Sequence, residues 1–147
     1  MTAATTPTEQ LPGPRRLTAL APPECLRLLG GVPLGRIVFT AGGLPAIRPV
    51  SHLLVDGDIV IRTHLGAALP TEGARRGKVV VAYEADEIDA TAHTGWSVVA
   101  TGVAELVREP AELARYGSGP AAWAGEHVDC AIRIRPELVT GYRMDVA

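Results

Sequence analysis

A chain of 147 residues with a formal net charge of −2 is the size of one globular domain, large enough for a true core and too short for two comfortable ones. Hydrophobic residues make up 47% of it but aromatic residues only 4%, so the core must be built from Val, Leu, Ile and Ala, and large stacking surfaces are scarce. The charge balance removes the electrostatic case for nucleic acid, because Arg15-Arg16 and Arg75-Arg76 are too short to form a basic patch.

In chain order, the opening segment MTAATTPTEQLPGPRR is rich in Thr, Pro and polar groups and cannot bury much surface. Residues 1–16 are therefore expected to be a disordered tail, and 17–147 the folded domain. The tail has no apolar stretch of signal-peptide type and no part of the chain approaches a membrane span, which points to a soluble cytoplasmic protein.

Pro22-Pro23-Glu24, followed by Cys25, Leu26, Leu28 and Leu29, predicts a short helix that Gly30-Gly31 stops. Gly35 to Thr40 reads as a strand, and Ala41-Gly42-Gly43 returns the chain into another that begins near Leu44. Asp56-Gly57 is a two-residue hairpin turn, since both residues tolerate positive φ. That turn sets Leu54 opposite Ile59, Leu53 opposite Val60, His52 opposite Ile61, Ser51 opposite Arg62 and Val50 opposite Thr63. Alternation then puts Val50, His52, Leu54, Ile59, Ile61 and Thr63 on an inward face. Pro49, Ser51, Leu53, Val60, Arg62 and His64 share the other, which grows polar away from the turn.

Gly66 to Gly77 is broken by Pro70 and Gly73 and reads as one helical turn and a loop. Lys78 to Glu84 is a continuous apolar run of the kind buried on both faces of a central strand. The acidic stretch Glu84, Asp86, Glu87 and Asp89 lacks the glycine and terminal glutamate of a calcium loop and reads as a solvated turn. WSVVATGVAELV is a long strand in which Gly102 marks a bulge or bend. Pro110 to Tyr116 is a short helix closed by Gly117. Cys130 to Arg135 alternates, with Arg133 and Arg135 on one face that either approaches a dimer cleft or, more simply, is solvated, and Val139 to Met144 makes a last strand or an extension. The sum is mainly β: six or seven antiparallel strands in a small barrel with two or three short flanking helices.

Neither metal nor disulfide chemistry is indicated. Cys25 and Cys130 have no short spacing, and His52, His64, His93 and His127 form no ligand pair. His52 and His64, both on the hairpin, point to opposite faces.

The order ECLRLLGGVPLGRIVF, RPVSHLLVDGDIVIRT with a following glycine, VVVAYEADEID, TGWSVVATGVAELV and IRIRPELVTGYRM resembles the pyridoxamine 5′-phosphate oxidase-like family from about Leu17 to Met144. GWSVVATGVAE and RIRPELVTG are its most specific pieces. The resemblance implies a split β-barrel that forms a homodimer and binds FMN in clefts between the subunits, with the deazaflavin F420 or haem in some relatives. By the same resemblance Arg48, Pro49, Val50 and Ser51 run along the flavin ring, and Ile61, Arg62 and Thr63 support the ring and ribityl phosphate. The segment Gly66, Ala67 and Ala68 meets the phosphate, and Trp96 reaches toward the cleft.

The implied activity is that of an oxidoreductase on a small molecule; the alternative is a non-catalytic ligand-binding barrel that has lost FMN. Family members commonly have Ser or Thr followed by Lys just after the glycine, where this chain has Ala67 and Ala68. Losing one charged phosphate contact costs about 1.5 to 3 kcal/mol, roughly ten- to a hundredfold in affinity.

Overall fold

The computed structural model describes residues 13–63, 69–70, 78–117 and 129–147. Its strands are β1 (Arg15–Ala19), β2 (Leu34–Ala41), β3 (Leu44–Ser51), β4 (Leu53–Val55), β5 (Asp58–Thr63), β6 (Val79–Asp89), β7 (Thr94–Val107) and β8 (Cys130–Val146). Two helices lie among the described residues, α1 (Pro22–Gly30) and α2 (Pro110–Arg115).

All eight strands belong to one antiparallel sheet with the order β3-β2-β6-β7-β8-β5-β4, and β1 pairs separately with β8. β8, 17 residues long, organises this arrangement. One edge pairs with β7 along nearly its whole length; the other takes β5 at its first half and β1 at its last.

The step from Thr101↔Leu138 to Gly102↔Pro136 leaves Glu137 as an extra residue on β8. Gly102 is required there because a Cβ would sit on the Arg135 carbonyl, and the irregularity also accommodates Pro136, which has no N–H to give. The bulge bends the sheet, as Gly102 in the sequence predicts. A split β-barrel results.

Its core lies between the inner sheet faces and is closed at one end by α1. Ile37, Ile59, Ile61, Tyr83, Ile132 and Ile134 are fully or almost fully buried in it, beside Cys25 and Leu29 of α1. Pro at the first turn and Glu24 start α1, and Gly31 ends it, as expected. A second, smaller cluster lies on the outer side of the sheet, where α2 covers Val60, Val107 and Ala131 through Tyr116.

The described residues form eight strands, in keeping with the expected small antiparallel barrel: the chain breaks at His52 between β3 and β4, and β1 starts at Arg15. Arg15 is held by hydrogen bonds from Nε and Nη2 to the Ala92 carbonyl at 2.9 and 2.6 Å. The run after Lys78 is central in the sheet yet not buried on both faces: Val81 is buried while Val80 is 65% exposed. The acidic stretch is not a turn, since β6 continues to Asp89 and pairs with β7 throughout. The cross-strand partner, supplied by distant sequence, overrides the local polar signal.

Candidate cofactor site

The hairpin keeps its expected register for Leu53↔Val60, Leu54↔Ile59 and Val55↔Asp58, with Asp56 and Gly57 both at positive φ. Beyond Leu53 the ladder parts. β3 pairs instead with β2, so the Ser51–Arg62 and Val50–Thr63 pairs do not form, although the predicted faces persist on both strands.

His52 occupies the break. It is 6% exposed, and its backbone N–H donates to the Pro33 carbonyl at 3.0 Å. Nε2 lies 2.8 Å from the Leu29 carbonyl and so carries the proton it donates; Nδ1 accepts from the Tyr83 hydroxyl at 2.5 Å. Burial holds the imidazole below its ordinary pKa and pushes the Tyr83 phenol up. Both ring nitrogens are used within the fold, so His52 is neither a haem ligand nor a proton donor to a bound molecule here. Gly35 belongs to the same junction, because a Cβ at that position would stand 2.5 Å from the Tyr83 ring.

Alternation divides the expected cofactor residues between the two sides of the sheet. Val50, Ile61 and Thr63 point inward and are buried, as is Trp96, which packs in the main core. Arg48 has inward parity opposite Ile37 but lies on edge strand β3 and is exposed, its Nη1 donating to the Ile47 carbonyl at 2.7 Å. Pro49 and Ser51 have outward parity, as does Arg62, whose Nη1 donates to the Gly117 carbonyl at 2.9 Å. Gly66, Ala67, Ala68, His64, Arg75, Arg76 and His127 lie outside the described residues. Among the described residues no group of three or more His, Cys, Asp or Glu is placed to hold a metal.

The outer side carries two ionic centres. Under α2, Arg133 donates from Nη2 to Glu105 at 3.0 Å and from Nη1 to Glu112 and to the Tyr116 hydroxyl. This corrects the expectation of a solvated face for Arg133. The hydrogen bond from Arg133 lowers the Glu105 pKa. In the open part, Arg36 of β2 reaches Asp86 at 3.3 Å and Glu84 at 3.5 Å, both on β6. Glu84 is pushed up to about 7, first by burial and then by the neighbouring Asp86 carboxylate, with Arg36 opposing. Local sequence carried no sign of either centre, whose members come from separate strands. A shallow apolar depression lies further along the same side, over Gly95 and between Leu17, Ile88, Tyr142 and Met144.

A curled antiparallel sheet with a broken hairpin, closed at one end by a short helix, defines the split-barrel class. The chain belongs to the pyridoxamine 5′-phosphate oxidase family, whose profile matches residues 21–143. It is 46% identical over 132 residues to an uncharacterized protein of Mycobacterium tuberculosis, covering 88% of this chain and 87% of that protein. It is also similar to the FAD binding protein from Mycobacterium smegmatis, at 33% identity and a TM-score of 0.66, over 86% of this chain and 98% of that one. A FAD-binding protein from Mesorhizobium loti matches with a TM-score of 0.69 at 22% identity, over 90% of this chain and 99% of that one, a likeness of fold alone.

Proposed function

We propose that the protein binds a flavin at the outer side of β3 and β5, beside a face shared by two copies of the chain, and that it is an oxidoreductase acting on a small molecule. The observation that carries this reading is the 33% identity to a FAD binding protein nearly all of whose length the chain covers.

The donor set suits a flavin. Ser51 and Arg62 have outward parity, giving a hydroxyl and a guanidinium to phosphate or to the polar rim of the ring. Among the described residues β3 is an edge strand, with half of its main-chain groups turned away from its one strand neighbour, and Pro45 and Pro49 fit such an edge. Val50, Ile61 and Thr63 would contribute main chain only, their side chains being committed to the core. When bound, the flavin supplies the hydride chemistry; the chain's own tasks are to hold the ring, exclude water from one side and leave the other side open. No acid–base pair is needed for that.

FAD is favoured over FMN. The terminal phosphate of FMN is the group that the absent Ser/Thr-Lys anchor would hold, whereas in FAD that phosphate is internal and the adenosine half brings further contacts. The same absence supports the second reading, a non-catalytic small-ligand barrel.

The purified protein is mixed separately with FAD, FMN, F420 and haem, passed through gel filtration, and its absorption spectrum recorded. A flavin spectrum retained on the protein, stronger with FAD than with FMN, is the expected result. Protein that emerges colourless after all four sinks the flavin reading.

A further inference from the structure

The outward residues of β5 stand in the order Asp58, Val60, Arg62. Val60 lies under α2, packed with Val107, Ala131, Leu113 and Tyr116. Arg62 comes next along the strand, at the margin of the covered area, and there its Nη1 donates to the Gly117 carbonyl at 2.9 Å. Gly117 follows the C-cap Tyr116 at φ +75°, a conformation glycine adopts without strain, so it marks the point where the chain leaves α2. The guanidinium of Arg62 is thus held by the end of a helix that lies 55 positions away in the chain.

α2 has no stability of its own to offer. Its 6 residues make fewer than two turns, far below the length at which a helix persists alone in water, and its N-cap Glu109 makes no side-chain cap bond. Its place is therefore set by what it touches. Leu113 and Tyr116 pack on the sheet, and Arg133 of β8 donates from Nη1 to Glu112 and to the Tyr116 hydroxyl while Nη2 holds Glu105 of β7. The Arg133 side chain is only 15% exposed, which makes it a much stronger tie than the exposed pair of Arg115 and Asp56 at 3.5 Å. Tyr116, bonded to Arg133 and buried, immediately precedes the residue whose carbonyl Arg62 meets, so the tie at Arg133 fixes that carbonyl too.

We propose that α2 aims Arg62 at the anionic part of the bound flavin, so that Arg133 and Glu112 are positioning residues that set cofactor affinity through Gly117. This rests on the flavin reading of the proposed function and on Arg62 as a contact within it. A guanidinium is planar, so a bond from one N–H fixes the direction of the rest, and a phosphate that meets a group already aimed does not have to order a long side chain. Ordering such a side chain on binding costs roughly two- to tenfold in affinity.

The test is calorimetric titration of FAD into the full natural chain, Glu112→Ala, Arg133→Met, Arg62→Ala, and Arg62→Ala combined with each of the other two. Glu112→Ala removes a negative charge and Arg133→Met a positive one, so an effect exerted through the field on a phosphate would have opposite signs in the two. Positioning gives one sign: Kd for FAD should rise by about two- to tenfold in both, and neither should matter once Arg62 is gone. Coupling is reciprocal, so saturating FAD should slow hydrogen exchange at residues 110–117 in the natural chain and not in Arg62→Ala. Glu112→Ala suffices if Arg133→Met fails to fold, since alanine favours the helix and unchanged or tighter FAD binding by this variant overturns the proposal. Opposite signs in the two variants, or losses that add to that of Arg62→Ala, overturn it as well and leave the flavin reading standing. A natural chain that binds no FAD sinks the flavin reading and this inference with it.

Discussion

Tyr83→Phe removes one oxygen atom from a wholly buried ring and isolates what that atom does. In the natural chain it satisfies Nδ1 of His52, whose other nitrogen is bonded to Leu29 and whose backbone N–H is bonded to Pro33. Without it, Nδ1 is an acceptor with no donor in a site too buried for water to replace the bond readily. A net hydrogen bond is worth about 0.5–1.5 kcal/mol, but a buried group left unsatisfied costs about 1–3 kcal/mol, and the second figure applies here. At about 3 °C per kcal/mol for a domain of this size, the melting temperature falls by roughly 3–9 °C. Urea unfolding at pH 7.5 and fixed protein concentration, followed by circular dichroism, should give a midpoint lowered at unchanged m-value. His52→Phe then provides a cycle: once the imidazole is gone, Tyr83→Phe should cost much less. A Tyr83→Phe variant as stable as the natural chain, or one whose loss is the same with and without His52, would refute the claim that this hydroxyl acts through the imidazole.

Three other outcomes follow from the same geometry. His52 has its pKa lowered by burial, so above its ordinary value near 6.5 both folded and unfolded forms are neutral and its contribution is intact; as pH falls below that value the unfolded chain gains the proton first and stability is lost. Glu84, raised when folded, acts oppositely between about 4.5 and about 7, so the quantity to measure is the stability difference between the natural chain and His52→Phe, which should shift toward the variant from pH 7 to pH 5.5. No shift in that difference would contradict a buried neutral imidazole. Gly102→Ala forces a Cβ onto the Arg135 main chain, where the bulge leaves nothing flexible to yield; a loss above about 3 kcal/mol or failure to accumulate as soluble protein is expected, and an unchanged melting temperature would show that the bulge relaxes freely. Arg133→Ala leaves Glu105 and Glu112 without their shared cation, so hydrogen exchange at residues 110–117 should speed up at least tenfold; unchanged protection would mean that Tyr116 packing alone holds α2.

What the sequence made legible was whatever rests on local chemistry. The prolines, glutamate and glycines around α1, the Asp56-Gly57 turn and the Gly102 bulge each act through a few adjacent residues, and all three occur where those residues point. The failures share one cause. β1 exists because the second half of β8 has a free edge more than 120 positions away in the chain, and the acidic end of β6 is strand because β7 pairs with it, neither of which local composition can disclose. The role of His52 was equally hidden, since Leu29 and Tyr83, which use both of its ring nitrogens, lie 23 and 31 positions away in the chain. Alternation correctly assigned Val50, Thr63, Ser51 and Arg62 to their faces, yet the break at His52 separates strands that a continuous hairpin would have kept paired.

The run KVVVAYE carries a lesson of its own. A continuous apolar segment is ordinarily taken to be buried on both sides by its own chain, and here only one side is. The inner residues Val81, Tyr83 and Ala85 are core, while Val80 is open to solvent and Glu84 shares the outer side with it. The two ionic centres on that side mark the difference between a covered and an uncovered surface. Arg133 makes hydrogen bonds to its partners, and Glu105 is held ionised. Arg36 makes a hydrogen bond to Asp86 but only an ion-pair approach to Glu84, and it is Glu84 whose charge the site disfavours. A carboxyl group whose charge the site disfavours, set among exposed Val, Ile and Leu, is the costly element of this side of the sheet.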